Sequence, residues 1–249
     1  MKLYGGSFMH EILDAIILSD LHLGSDNCRA RELVDFLEGV HVGFYKTSKL
    51  ILNGDVFDSI DFRRLKKFHW RVLSMLRKLS DDLEITWIQG NHDGDSEIVS
   101  NLLGVKMQEQ YIFQSGGRKI LALHGHVFDQ FISKHPLLTN LADCMYHFLQ
   151  WVDPSHKVAK IAKKSSKTFL RCADKMEREA IAMANKLGCH VVCCGHSHNA
   201  VEKIDGEVEY YNSGSWTETN PTYLSVRNGV VKLRTYLPVE YSKFAGNLY

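Results

Sequence analysis

The sequence predicts an α/β fold, and three observations carry that prediction. Short β-branched runs of strand length alternate with stretches whose apolar residues recur at helical spacing. Several of those runs end in polar residues beside a glycine, and the strand ends of an open α/β sheet are where ligands collect. The final third turns β-rich, with Asp205-Gly206 and Asn228-Gly229 as hairpin turns between alternating strands.

The elements follow in order. Ile16-Ile17-Leu18 is the first strand and leads into Asp20 and His22, which stand two apart and point to the same side of an extended segment. Arg29 to Glu38 reads as a helix with Leu33, Val34 and Leu37 on one stripe. Lys49 to Leu52 is the second strand and ends in Asn53-Gly54-Asp55. Residues 61–80 read as one helix carrying Leu65, Phe68, Leu73, Leu76 and Leu79. Glu84 to Gln89 is the third strand, ending in Gly90-Asn91-His92-Asp93, and a short helix runs from Asp95 to Leu103. Residues 107–113 and 119–123 form a hairpin around Ser115-Gly116-Gly117, and its second strand ends at His124-Gly125-His126. The rhythm breaks over 127–173. It resumes with a helix from Lys175 to Leu187 and a strand from His190 to Cys194, ending in Gly195-His196-Ser197-His198. No linker or repeat interrupts the chain, so the sequence predicts one domain over 1–249 with a helical insertion at 127–173.

A chain of 249 residues, 45% hydrophobic and 24% charged, suits one large soluble domain. A net charge of +1 supplies no global attraction to nucleic acid or membrane. The six cysteines show no CxxC pairing, which fits a reducing, cytoplasmic setting. Met1 to His10 lacks the apolar core of a signal peptide, and no apolar run reaches the ~18 residues of a membrane span.

Thirteen histidines direct attention to metal ligation. Five strand ends carry Asp20 with His22, Asp55, Asn91 with His92, His124, and His196 with His198. Each alone has an ordinary alternative: Asp55 as a helix cap, Asn91 as a turn residue, His198 as a surface residue. Their recurrence at five successive strand ends is what points to a metal site. Imidazole and carboxylate ligands together suit manganese, iron or zinc better than magnesium or calcium. Two such ions about 3.5–4 Å apart clamp a phosphoryl oxygen and acidify a water for in-line attack on phosphorus. His92 is then the non-ligand group that stabilises phosphoryl charge or protonates the leaving group. Asp93 is either its orienting partner or a helix or turn cap, Asp58 is left as a cap, and His126 is read either as a support behind the ligands or as substrate-facing.

In this order, Asp20-x-His22, Gly54-Asp55, Gly90-Asn91-His92-Asp93, His124 and Gly195-His196-Ser197-His198 resemble the calcineurin-like metallophosphoesterase signature. The resemblance implies a four-layer α/β/β/α sandwich with two divalent metal ions, manganese first and iron or zinc next, at the sheet edges. It also implies that Asp20, His22, Asp55 and His198 hold one ion. Asp55 bridges to the second, completed by Asn91, His124 and His196.

The insertion carries the substrate expectation. Leu137, Leu138, Leu141, Met145, Phe148, Leu149 and Val152 recur at helical spacing before Pro154. Eight basic residues follow between Ser155 and Arg178. Core packing and a solvated face are the ordinary readings of these two stretches. Together they resemble the helical cap of the UDP-2,3-diacylglucosamine pyrophosphohydrolases of lipid A biosynthesis, as do Ser165-Ser166-Lys167 and Asn212-Ser213-Gly214-Ser215-Trp216. That resemblance implies cleavage of the diphosphate of a nucleotide-linked lipid. Lys163, Lys164, Ser166, Lys167 and His126 would contact the substrate, with peripheral contact to the inner membrane face. Many members of that family carry Arg at the position of His92 and Asp at that of His126, while a related branch carries the GNHD found here. The alternative is a general phosphodiesterase or nucleotide pyrophosphatase. A nuclease or a non-catalytic scaffold ranks lower. The basic stretch offers only Phe169 for base stacking, so no nucleic-acid partner is expected, and the ligand set is complete.

Overall fold

The computed structural model describes residues 12–128, 167–204 and 206–238. Strands β1 (Ala15–Leu18), β2 (Lys49–Asn53), β3 (Glu84–Ile88) and β4 (Lys106–Gln108) pair in parallel. β10 (Thr222–Arg227) pairs antiparallel with β1, and β11 (Val230–Thr235) antiparallel with β10, giving the order β11-β10-β1-β2-β3-β4. The second sheet combines β5 (Gln110–Ser115), β6 (Arg118–Leu123), β7 (Val191–Cys194), β8 (Val201–Lys203) and β9 (Glu209–Asn212) in the order β5-β6-β7-β9-β8.

Alternate side chains on each central strand serve two different cores. Ile16, Leu18, Leu50, Leu52 and Trp87 pack outward against Leu33, Phe36 and Leu37 of α1 (Ala30–His41) and Val72 and Leu76 of α2 (Lys67–Leu79). Ile17, Ile51 and Ile88 point the other way, against Ile120, Ala122, Val191 and Cys193 of the second sheet. On its far side Leu121, Val192 and Cys194 meet Met176, Ala180 and Ala184 of α4 (Lys167–Lys186). α3 (Glu97–Leu102) links β3 to β4. The result is the four-layer α/β/β/α sandwich. Burial on both faces explains why the central strands read as unbroken apolar runs. No helix among the described residues is long and apolar enough to cross a membrane.

Three expected elements are corrected. The single helix expected over 61–80 is a short 3-10 turn, Phe62–Arg64, followed by α2. Asp61 caps the turn by accepting from Arg63 N at 3.2 Å, Leu65 is extended, and His69 Nδ1 accepts from Lys66 N at 3.0 Å to restart the helix. The strand expected over 107–113 is two strands in different sheets, because the chain leaves the first sheet after Gln108 and enters the second at Gln110. The helix expected from Lys175 begins at Lys167. Lys163, Lys164, Ser166, the apolar stretch 137–152 and the turn residue Asp205 lie outside the described residues.

At the edge where β1 begins, two hairpin turns close the sandwich. Asp14 Oδ2 accepts from Asn228 N at 2.7 Å and from the Ser115 hydroxyl, and Ser115 Oγ accepts from Gly229 N at 2.7 Å. Asn228 and Gly229 both have positive φ, 49° and 78°, as the predicted two-residue turn requires. Gly116, at φ 53°, lies so close that a Cβ there would stand 2.2 Å from the Asn228 carbonyl carbon. Gly116→Ala should therefore lower stability by about 1–3 kcal/mol, the usual cost of overpacking. Urea denaturation checks this, with metal stoichiometry unchanged because the latch is remote from the strand ends that carry Asp20 and Asp55.

Candidate metal centre

The C-terminal ends of β1, β2, β6 and β7 bring six of the seven predicted ligands together, and the end of β3 adds His92. Asp20, His22 and His198 form one group, Asp55, His124 and His196 a second, and His22, Asp55 and His92 a third. Within each group the candidate donor atoms lie within 4.8 Å of one another. Asp55 is common to the second and third, and its Oδ2 is 3.3 Å from His124 Nε2 and 3.8 Å from His22 Nε2. His198 Nε2 is 3.1 Å from Asp20 Oδ1 and 3.2 Å from His22 Nε2. Asn91 stands between Gly90 and His92, two residues that both press on Asp55, and its side chain is exposed.

These loops are unusual in their backbone. Asp20, His22, Asp55, His196 and His198 all adopt positive φ, between 49° and 65°. For residues other than glycine this costs about 1–3 kcal/mol each, although Asp and His tolerate it better than β-branched residues. Hydrogen bonds from one loop to the next hold them there. Asp20 N donates to Gly54 O and His22 N to Asp55 O, each at 3.0 Å. Asp20 Oδ1 and Oδ2 both accept from His196 N at 3.1 Å, and Asp55 Oδ1 accepts from His92 N at 2.9 Å. Gly90 permits that last approach, since a Cβ there would meet Asp55 N and Oδ1 at 2.2 Å.

Of the two expected roles, partner of His92 or turn cap, Asp93 takes the second, as an acceptor of backbone N–H groups. It is fully buried and accepts from Asp55 N at 3.0 Å, Gly90 N at 2.8 Å, Trp87 Nε1 at 3.1 Å and Phe57 N at 3.1 Å. It braces the loop behind Asp55 and gives no hydrogen bond to His92. Burial and the neighbouring Asp55 carboxylate push its carboxyl above the ordinary range despite four donors. Asp58, left as a cap by the sequence, fills the expected role in part. His92 Nδ1 lies 2.9 Å from the Asp58 carbonyl oxygen, while the Asp58 carboxylate lies 3.5 Å from His22 Nδ1 and pairs with Arg64 at 2.6 Å.

Asn53 is a residue the sequence reading passed over. Its carbonyl accepts from His124 Nδ1 at 2.9 Å, and its side-chain amide donates to Cys193 O at 3.2 Å, tying the two sheets together beneath the site. The Asn-Gly-Asp turn signal was present, but nothing in it separates a backbone acceptor for a distant histidine from a loop residue.

The donor set fits divalent ions. His124 is fully buried, its Nδ1 proton is committed to Asn53 O, and its Nε2 has no hydrogen-bond partner. That nitrogen faces the Asp55 carboxylate at 3.3 Å, where a divalent ion can take the place of its proton. The cluster's charge balance agrees. Burial works against charge at every group here. Even so, His198 holds the Asp20 carboxyl below its ordinary value, and His124 does the same for Asp55. Against the same burial, the Asp55 and Asp20 carboxylates raise His124 to about 9. Protons bound this way are what a metal displaces. His126 is half-buried with its ring 5.5 Å from that of His124. Burial, then the neighbouring imidazoles, lowers it to about 4. It is not a member of any donor group among the described residues. Lys167 begins α4.

Residues 13–227 match the calcineurin-like phosphoesterase superfamily domain. Comparison with curated proteins finds no match. Among solved structures, YfcE, a phosphoesterase from E. coli, is similar at 16% identity and a TM-score of 0.50, over 91% of this chain and 99% of that one. An archaeal phosphodiesterase shows 15% identity and a TM-score of 0.49 over 89% and 98%. A single mutant of Vps29 from Entamoeba histolytica shows 14% and 0.47 over 91% and 99%.

Because Asp55 lies between His22 of the first group and His124 of the second, Asp55→Ala should lose both ions, not one. Elemental analysis after manganese loading checks this, and a variant that keeps one full ion per chain would contradict the shared ligand.

Proposed function

The chain belongs to the calcineurin-like phosphoesterase superfamily and is a metal-dependent hydrolase, and from that premise we propose that it cleaves the diphosphate of a nucleotide-linked lipid such as UDP-2,3-diacylglucosamine. The observation that carries the chemistry is the shared carboxylate, with Asp55 between a group built on Asp20, His22 and His198 and one built on His124 and His196. Asn91 completes the second group in this reading. When bound, two divalent ions supply Lewis acidity to the phosphoryl oxygens and acidify a water. Manganese is the first choice, with iron or zinc next, on the mixed nitrogen and oxygen donors.

The chain's own residues do the rest. Asp20 and Asp55 fix the loops that carry His196 and His92 through their backbone N–H groups. His92 is exposed to incoming substrate, with its ring edge-on to His22 at 5.0 Å between centroids. Its Nδ1 donates to the Asp58 carbonyl, so in the protonated ring Nε2–H is the proton delivered to the leaving oxygen. Asp93 acts earlier, by holding the Asp55 backbone in its left-handed conformation.

The lipid-linked substrate rests on the sequence of the insertion, apolar over 137–152 and basic from Lys157 to Arg178 with Lys163, Lys164, Ser166 and Lys167 as contacts. In this reading the enzyme meets its substrate at a membrane surface. His126 faces the substrate beside the second metal group. A general phosphodiesterase or nucleotide pyrophosphatase is the second reading, favoured by GNHD in place of the family's usual arginine at His92. The test is a hydrolysis panel of UDP-2,3-diacylglucosamine, nucleotide diphosphates, bis-p-nitrophenyl phosphate and p-nitrophenyl phosphate. The highest kcat/KM on the acylated substrate supports the lipid reading, and equal values on the unacylated diphosphates support the general one. On the best substrate, His92→Ala should lower kcat by about 10²–10⁴-fold with metal content unchanged. Loss of a metal from this variant would make His92 a ligand instead.

A further inference from the structure

The stretch Asn212-Ser213-Gly214-Ser215-Trp216 supplies no ligand to the proposed centre, yet all of it is buried. At one end Ser213 N donates to Cys194 O at 3.0 Å, and Asn212 Nδ2 donates to Gly195 O at 2.6 Å and to Ser197 Oγ at 3.1 Å. At the other, Trp216 N and Ser215 Oγ donate to Asp20 O at 3.1 and 3.2 Å. The stretch therefore ties the end of β7 in the second sheet to the end of β1 in the first.

Between these ties lies a pair of buried hydroxyls. Ser19 Oγ stands 2.6 Å from Ser213 Oγ and donates to Asp20 Oδ2. Ser19 has one proton to give, and a carboxylate oxygen is a stronger acceptor than the Gly214 carbonyl at 3.2 Å. Ser213 is then the donor of the pair, since the other acceptor open to it, Cys194 O, is farther away at 3.2 Å. The relay from Ser213 through Ser19 ends on one oxygen of Asp20, and the other is left for the centre. Asp20 Oδ1 is 3.1 Å from His198 Nε2 and 4.0 Å from His22 Nε2, its partners in the first donor group. His196 N is 3.1 Å from both oxygens, so it anchors the carboxylate without choosing between them. Ser19 makes the choice. The second group has supports of its own, Asp93 behind Asp55 and Asn53 behind His124.

We infer that Ser19, backed by Ser213, is a positioning residue that turns Asp20 Oδ1 to the first metal position and so sets the affinity there and not at the second. The inference rests on the two-ion reading of the site. Neither serine touches an ion or the substrate; both act through the Asp20 carboxylate. The rival account is that the two hydroxyls only satisfy each other in the core. Their loss would then lower stability and leave the ratio of the two metal affinities alone.

Manganese titration of the full-length protein, read by calorimetry and by electron paramagnetic resonance, separates the two. Wild-type protein should take up two ions per chain. Ser19→Ala should bind one as tightly as wild type and the other about 10–100-fold more weakly, the usual loss when a group that orients a metal ligand is removed. At two equivalents the spectrum of this variant should show uncoupled six-line signals, with coupling regained in excess manganese. His198→Ala weakens the first position by itself, so adding Ser19→Ala to it should leave the remaining ion unchanged. Ser213→Ala removes only the supporting donor. It should weaken the same ion by a smaller factor, and it carries the test if Ser19→Ala does not fold. Equal weakening of both ions, or wild-type affinity for both, in whichever variant folds overturns the assignment and keeps the two-ion reading. Uptake of fewer than two ions by wild-type protein overturns that reading and the assignment with it.

Discussion

The molecule is organised around left-handed backbone at the ligands. Asp20, His22, Asp55, His196 and His198 each sit at positive φ, where L residues pay a conformational cost. These five residues occupy three loops, after β1, β2 and β7, which with the loops after β3 and β6 face one centre. No loop could hold it alone. Each is braced by a neighbour: the Asp55 loop by Asp93, the His92 loop by Asp55, the His196 loop by Asp20, and the imidazole of His124 by Asn53. The ligand carboxylates are therefore also structural acceptors. In the proposed centre the same carboxylates would bind ions and hold the loops.

The rest of the fold follows from needing two sheets to supply one centre. The first sheet brings Asp20, Asp55 and His92, and the second brings His124 and His196 with His198. Sandwiching them with Ile17, Ile51 and Ile88 against Ile120, Val191 and Cys193 sets their edges side by side. Trp87 shows how packing reaches the site. It is wholly buried against the helix layer, yet its Nε1 donates to Asp93, so the core and the Asp55 loop are mechanically one unit. Helices on both outer faces keep water from the strands, and this is what lets charged groups act at low dielectric at the edge.

Much of this was legible in the sequence, for physical reasons. Strand ends announced themselves because an apolar run stopped at a carboxylate or imidazole, which pointed to a metal site, while the grouping of ligands around two ions came from the resemblance to the metallophosphoesterase signature. The α2 interruption was not legible, because Leu65 and Phe68 keep helical spacing across a break that is set by side-chain caps from Asp61 and His69. The change of sheet at Glu109 was hidden for the same reason: both flanking strands alternate normally. Of the two roles open to Asp93, partner of His92 or cap of a turn, sequence alone could not choose. Adjacency in sequence suggested His92, whereas its carboxylate turns inward to four N–H donors. Long-range acceptors such as Asn53 O leave no trace in composition or periodicity.

The central claim is that one carboxylate, Asp55, joins two metal positions into a single centre. Electron paramagnetic resonance of the manganese-reconstituted protein tests it most directly. Two ions about 3.5–4 Å apart should give an exchange-coupled spectrum at two equivalents of manganese per chain. Isolated six-line manganese signals that simply double between one and two equivalents would place the ions apart and contradict the shared centre.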